Sequence, residues 1–190
     1  MAFEKETIFS ELIDFIRTCF DEHAVSSIEN NFHMALFSSL KGWTKVMLYP
    51  ARLDSTLFKS LRSVNVVGTG VLAGWIWGGR FIPSPHLYNF IKGFAKKIGC
   101  GIVAKPQGVK AFLYGNDLLL ASFEEGLPPI LKGRPVAVID RDDYTAIGIG
   151  IASLDLEEIK SLLKKGKMLT PIVKNIFDLG IHIRNEEFFY

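Results

Sequence analysis

The stretch KSLLKKGK places Lys160, Lys164, Lys165 and Lys167 within two turns of chain. Each amine is a strongly hydrated point charge with three donors, suited to phosphate oxygens. A helix C-terminus attracts cations through its dipole, but one lysine would meet that need. KKGK goes further, which leaves two readings, a solvated helix end and a seat for an anionic partner. Lys105 and Lys110 bracket Gly108 in KPQGVK. There, backbone N–H groups could approach a phosphate while the lysines neutralise it. Lys92, Lys96 and Lys97 lie opposite an apolar helical stripe and read as a solvated face.

Other chemistries find less support. GTGVLAG (68–74) suggests a dinucleotide loop, but its third glycine is one place late and WIWGGR continues as a hairpin. No acid lies between Asp54 and Asp117, so those glycines read as a twisted or bulged strand. No activated-nucleophile motif surrounds any serine or cysteine. Asp140, Asp142 and Asp143 could pair as carboxylates, yet Asp favours turns and the stretch reads as a hairpin turn. His23, His33, His86 and His182 lack metal-ligand spacing. Neither metal nor cofactor is expected. Cys19 and Cys100 belong to different segments and are expected to be reduced.

The 190 residues are 48% hydrophobic and 22% charged, enough apolar material for a core. Net charge is only +2, so nucleic-acid binding would need local basic patches. No apolar run approaches the roughly 18 residues that cross a bilayer. Acids at Glu4, Glu6, Glu11 and Asp14 do not suit a secretion signal. A soluble, non-membrane, intracellular protein is expected.

The elements that would position these groups follow from periodicity. Ile8, Leu12, Phe15, Ile16 and Cys19 mark a first helix. Strands are expected over 34–39 and 44–50, and a short helix over 53–63. Gly78-Gly79 is a two-residue hairpin signal that sets Trp77 opposite Arg80, where the two could stack. Ser84-Pro85 opens a helix with a stripe of Leu87, Phe90, Ile91, Phe94 and Ile98, closed by Gly99. Beyond it, strands are expected at GIVAKP, 117–123, 136–139, 146–152, MLTPIV and GIHIR. One more helix is capped by Asp155 with Glu158 and closed by Gly166. Phe112, Leu113 and Tyr114 are expected in the core. The fold class is α+β: an N-terminal α/β domain (1–98), with a mainly antiparallel sheet flanked by helices, then a small β pseudo-barrel (101–190).

FLYGNDLLLASF, GRPVAVIDRDDYTAIGIGIAS and KKGKMLTPIV together resemble a PUA domain, an RNA-binding module, over roughly residues 101–184. GTGVLAGWIWGGRFIPSPHLYNF, KPQGVKAFLYGND and DLGIHIRNEE extend the resemblance to ribosome-biogenesis factors of the Nip-seven type, and the lysine-rich form resembles their archaeal branch. The resemblance implies a non-catalytic role in pre-rRNA processing and large-subunit assembly. It further implies binding of single-stranded, uridine-rich RNA by Lys160, Lys164, Lys165, Lys167 and Arg184, with Lys105, Gly108 and Lys110 as further contacts. Other ribosome-assembly proteins would dock on the N-terminal domain of a monomer, in the cytoplasm or, in a eukaryotic source, in the nucleolus or nucleus. A rival reading is a subunit or accessory domain of an RNA-modifying enzyme, and a third is a protein-interaction adaptor.

Overall fold

The computed structural model describes residues 2–38, 43–53 and 70–184. The chain divides into two compact units, one ending at Lys96 and the next starting at Lys97. Among the described residues, no helix is long and apolar enough to cross a membrane.

The first unit opens with helices α1 (Ala2–Cys19) and α2 (Glu22–Asn31). Strands β1 (Phe32–Ser38), β2 (Thr44–Pro50), β3 (Val71–Trp77) and β4 (Arg80–Pro83) form an antiparallel sheet in that order. Helix α3 (Pro85–Lys92) follows. Leu12 and Ile16 of α1 are fully buried, and Phe15 meets Phe81 of β4 edge to face. Helix α2 was not expected, because only Ala24, Val25 and Ile28 of its ten residues are buried and the rest is polar. Asp21 caps it by accepting from Ala24 N–H at 2.9 Å.

Ser84 caps α3 as expected, accepting from Leu87 N–H at 3.0 Å. The helix stops at Lys92, with Gly93 as its cap, well short of Ile98. Lys96 N–H donates to Asp21 Oδ2 at 2.6 Å, so the chain is drawn onto the α2 cap and the helix does not continue. The glycines of GTGVLAG that lie among the described residues serve backbone approach. A Cβ on Gly70 would stand 2.0 Å from the Leu48 carbonyl oxygen, and one on Gly74 2.1 Å from that of Ile82. The helix expected over 53–63 lies, from residue 54 onward, outside the described residues.

The second unit is a curled half-barrel. Its six strands are β5 (Gly101–Ala104), β6 (Leu118–Leu119), β7 (Phe123–Leu127), β8 (Pro135–Asp140), β9 (Ala146–Ala152) and β10 (Pro171–Asp178). Their order is β6-β10-β9-β8-β5-β7, antiparallel except for the β5–β8 pair. Helices α4 (Pro106–Leu113), α5 (Leu156–Lys164) and the single turn α6 (Ile181–Arg184) complete it. Phe112, Ile102, Val138, Ile159 and Ile172 are fully buried at its centre.

Several local expectations are corrected here. DLLLASF is no continuous strand: β6 breaks after Leu119 into a 3-10 turn, Leu120–Ser122. GIHIR forms helix α6 where a strand was expected, since β10 already ends at Asp178. Tyr114, expected in the core, is 74% exposed, because the helix turns it away from buried Phe112. The cysteines, expected to be reduced, are not free thiols, and nothing in their spacing announced this.

Candidate nucleic-acid interface

Helix α5 is built to end in lysines. Asp155 N–H donates to Glu158 Oε2 at 2.9 Å, so the capping box read from the sequence forms. Ile159 is fully buried and anchors one face. Lys165 caps the far end, and Gly166 then takes φ +67, the left-handed conformation that turns the chain out of the helix. The chain leaves as Lys167-Met168-Leu169, with Met168 44% and Leu169 81% exposed.

The four lysines of this segment are all exposed, but they are not equivalent. Lys160 Nζ lies 2.7 Å from Glu157 Oε1, one turn earlier. Among the described residues, Lys164, Lys165 and Lys167 form no ion pair. Three cations without a described carboxylate partner thus stand at the helix end and its exit, beside two exposed apolar side chains.

The 3-10 turn joins this segment to the start of α4. On one side, Leu120 N–H donates to the Thr170 carbonyl and Ala121 N–H to that of Met168, each at 2.8 Å. On the other, Lys105 N–H donates to the Ser122 carbonyl at 2.8 Å, and Lys105 Nζ reaches the Ala121 carbonyl at 3.4 Å. Lys105 and Lys167 are 62 positions apart (167 − 105) in the sequence, yet they flank one three-residue turn. Lys110 is exposed on the outward side of α4, with Gln107 before it and Tyr114 after it at helical spacing.

Two of the residues singled out in the sequence have structural tasks. Gly108 is buried, and a Cβ there would lie 2.2 Å from Ser122 Cβ and 3.1 Å from Leu118 Cδ1. It lets α4 settle on the 3-10 turn, so its α-carbon faces protein, not phosphate. Arg184 is also turned inward. Its guanidinium grips Asp178 with two contacts, Nη1–Oδ1 at 2.9 Å and Nη2–Oδ2 at 3.2 Å. It also donates to the Leu113 carbonyl. Asn175 adds a bond to the Phe112 carbonyl at 2.8 Å and one to Asp178 Oδ2 at 3.2 Å. These side chains satisfy carbonyls left open where α4 ends. With its guanidinium so engaged, Arg184 belongs to the scaffold of the site.

The RDD turn is likewise structural. Asp140 Oδ1 accepts from Asp142 N–H at 2.9 Å and Asp143 Oδ1 from Thr145 N–H at 2.8 Å, the local bonds that make Asp a turn residue. Beside them, Tyr144 donates its hydroxyl to Glu125 at 3.3 Å, and the negative field of Glu125 raises the phenol above its ordinary pKa. Arg141 of the same turn lies 3.8 Å from Glu124 and 3.6 Å from Asp142, and its backbone N–H donates to the Ala104 carbonyl, one residue before Lys105.

The UPF0113 PUA domain family matches residues 100–187. This part of the chain is a PUA domain. Similar folds occur in solved archaeal structures. A hypothetical protein from the hyperthermophilic archaeon Pyrococcus horikoshii OT3 aligns over 92% of this chain and 90% of its own, at 15% identity and a TM-score of 0.63. A conserved PUA domain protein from Thermoplasma acidophilum aligns over 77% and 76%, at 18% identity and 0.53. A PUA domain structure from Aeropyrum pernix K1, solved with tartrate, aligns over 84% and 81%, at 16% identity and 0.52. At such identities the likeness is one of fold. No curated protein matches the chain. The PUA domain carries both cation groups, the lysines around α5 and those of α4.

Proposed function

We propose that this chain is a non-catalytic RNA-binding factor in large ribosomal subunit biogenesis and pre-rRNA processing. It holds single-stranded, uridine-rich RNA through Lys164, Lys165 and Lys167, with Lys105 and Lys110 extending the track. The observation that carries the reading is the 3-10 turn, hydrogen-bonded to Lys105 on one side and to the exit of KKGK on the other. A fold that brings dispersed lysines to one turn, and leaves three of them without a described carboxylate partner, suits a phosphate backbone. The exposed side chains of Met168 and Leu169 offer unstacked bases an apolar surface. The assembly role rests on the Nip-seven resemblance, by which other assembly proteins would dock on the N-terminal unit.

The test is a titration of Lys164→Ala/Lys165→Ala/Lys167→Ala against oligo-uridylate at several salt concentrations. Loss of three phosphate contacts should flatten the slope of log affinity against log salt by about 2. An unchanged slope and affinity would overturn this site. Crosslinking in cells to large-subunit rRNA supports the assembly role, whereas crosslinking to tRNA, with loss of a modified base on deletion, would favour an accessory domain of a modifying enzyme.

A further inference from the structure

A second surface, in the first unit, shows chemistry that the PUA domain does not explain. Trp43 and Trp77 stack with ring centroids 5.1 Å apart and planes 10° from parallel. Trp77 ends β3 and pairs with Arg80 across the Gly78-Gly79 turn. The register read from the sequence therefore holds, but the ring that Trp77 stacks on is Trp43. One face of Trp77 is covered by that ring, and the residue is still 54% exposed. Its other face must therefore meet solvent. Both turn glycines have positive φ, and beyond its chain neighbours a Cβ built on either would meet no described heavy atom within 4 Å, so among the described residues the hairpin tip is open. Arg80 is exposed and forms no ion pair among the described residues. The nearby Glu11 carboxylate accepts from Phe81 N–H at 2.8 Å.

We propose that Trp77, braced by Trp43 and flanked by Arg80, is a stacking platform for one unpaired base of single-stranded RNA, with Arg80 on the adjoining phosphate. The proposal rests on the RNA-binding reading above and adds to it a base-contacting site on the other unit. An exposed indole held in place by a second ring loses little freedom when a base stacks on it. A cation beside the ring suits the anionic backbone that accompanies every base. Tryptophan and arginine also serve as protein hot spots. Here, however, the cation and the π-face point to the two parts of a nucleotide together, and the turn leaves the approach clear.

The experiment uses the full chain and a uridine-rich single-stranded oligoribonucleotide. Wild type should show tryptophan quenching on binding, and Trp77→Phe should lose the share contributed by Trp77, leaving only that of half-buried Trp43, since Trp75 is buried. Trp77→Leu should weaken affinity about ten-fold, within the range of single base-stacking losses, with an unchanged salt slope. Trp77→Phe should recover part of that affinity, because it keeps a ring. Arg80→Ala should flatten the slope by about 0.7. Thermal melts confirm that each variant is folded, and Arg80→Ala tests the platform even if a Trp77 variant is not.

Affinities and slopes like wild type in both Trp77→Leu and Arg80→Ala overturn the platform and hand the surface to a protein. If the triple lysine variant alone binds like wild type, the platform stands and the lysine site falls. Absence of binding by wild type sinks both.

Discussion

Arg184 and the lysines of KKGK were equal candidates on charge, and the fold uses them in opposite ways. Arg184 is 18% exposed at its side chain, with both terminal nitrogens bound to a carboxylate that is 3% exposed. Lys164, Lys165 and Lys167 stand in water. The difference follows from chemistry as well as position. A planar guanidinium can grip a carboxylate with two parallel bonds and still reach a carbonyl, so burying it is tolerable. An ammonium on a flexible stem is costly to bury and cheap to leave mobile, which suits a phosphate backbone that arrives in varied positions. A basic residue near a binding surface is therefore not a binding residue by charge alone.

The sharpest way to break this contrast is Asp178→Ala. It leaves Arg184 enclosed without its carboxylate and removes a partner of Asn175. Breaking one side of a buried pair costs about 3–5 kcal/mol. Urea unfolding should show that loss, while the salt slope of RNA binding in the folded protein stays as in wild type. If stability is retained and RNA affinity falls, Arg184 is a ligand-binding residue and the contrast is void.

The parts of this picture that were legible in the sequence share one property: their signal is local. The capping box at Asp155 and Glu158, the Ser84 cap, and the Gly78-Gly79 hairpin with Trp77 opposite Arg80 each lie within a few residues. The lysine cluster is local too. What escaped depends on contacts between distant segments. Arg184 reaches Asp178 and the end of α4, 71 residues upstream, and no pattern around it announces that. Helix α3 is cut short because Lys96 N–H finds Asp21, 75 residues away. The 3-10 turn inside DLLLASF is held from both sides by segments on opposite ends of the domain sequence. Composition alone reads such a stretch as a strand. Gly108 was noticed for the right reason, a close approach, but the approaching group is Ser122.

That last point gives a smaller test. If Gly108 served phosphate alone, Gly108→Ala should stabilise α4, because alanine gains up to about 1 kcal/mol over glycine in a helix interior. With Ser122 Cβ 2.2 Å from the new methyl, the overpacking cost of roughly 1–3 kcal/mol should dominate. A net loss of stability by thermal melt places Gly108 with Arg184, in the scaffold. A gain, together with weakened RNA binding, would return it to the interface.

The smallest effect concerns Lys160, which lies between the two behaviours: exposed like its neighbours, but paired with Glu157. Side-chain exposures of 52% and 82% make this a surface pair, worth a few tenths of a kcal/mol at most after solvent screening. RNA should therefore compete for Lys160 easily, and Glu157 should act mainly as a local repulsion toward phosphate. Glu157→Gln keeps the side chain's shape and removes the charge. It should raise affinity for oligo-uridylate about two- to three-fold at low salt, an effect that shrinks as salt is added. Stability should change by less than about 0.5 kcal/mol. Combining it with Lys160→Ala closes a double-mutant cycle. If the gain from Glu157→Gln disappears when Lys160 is absent, the carboxylate acts by occupying the lysine. If the gain persists, it acts on the RNA directly. If there is no gain in either background, the RNA does not pass along this side of α5, and the track must run from KKGK toward Lys105 alone.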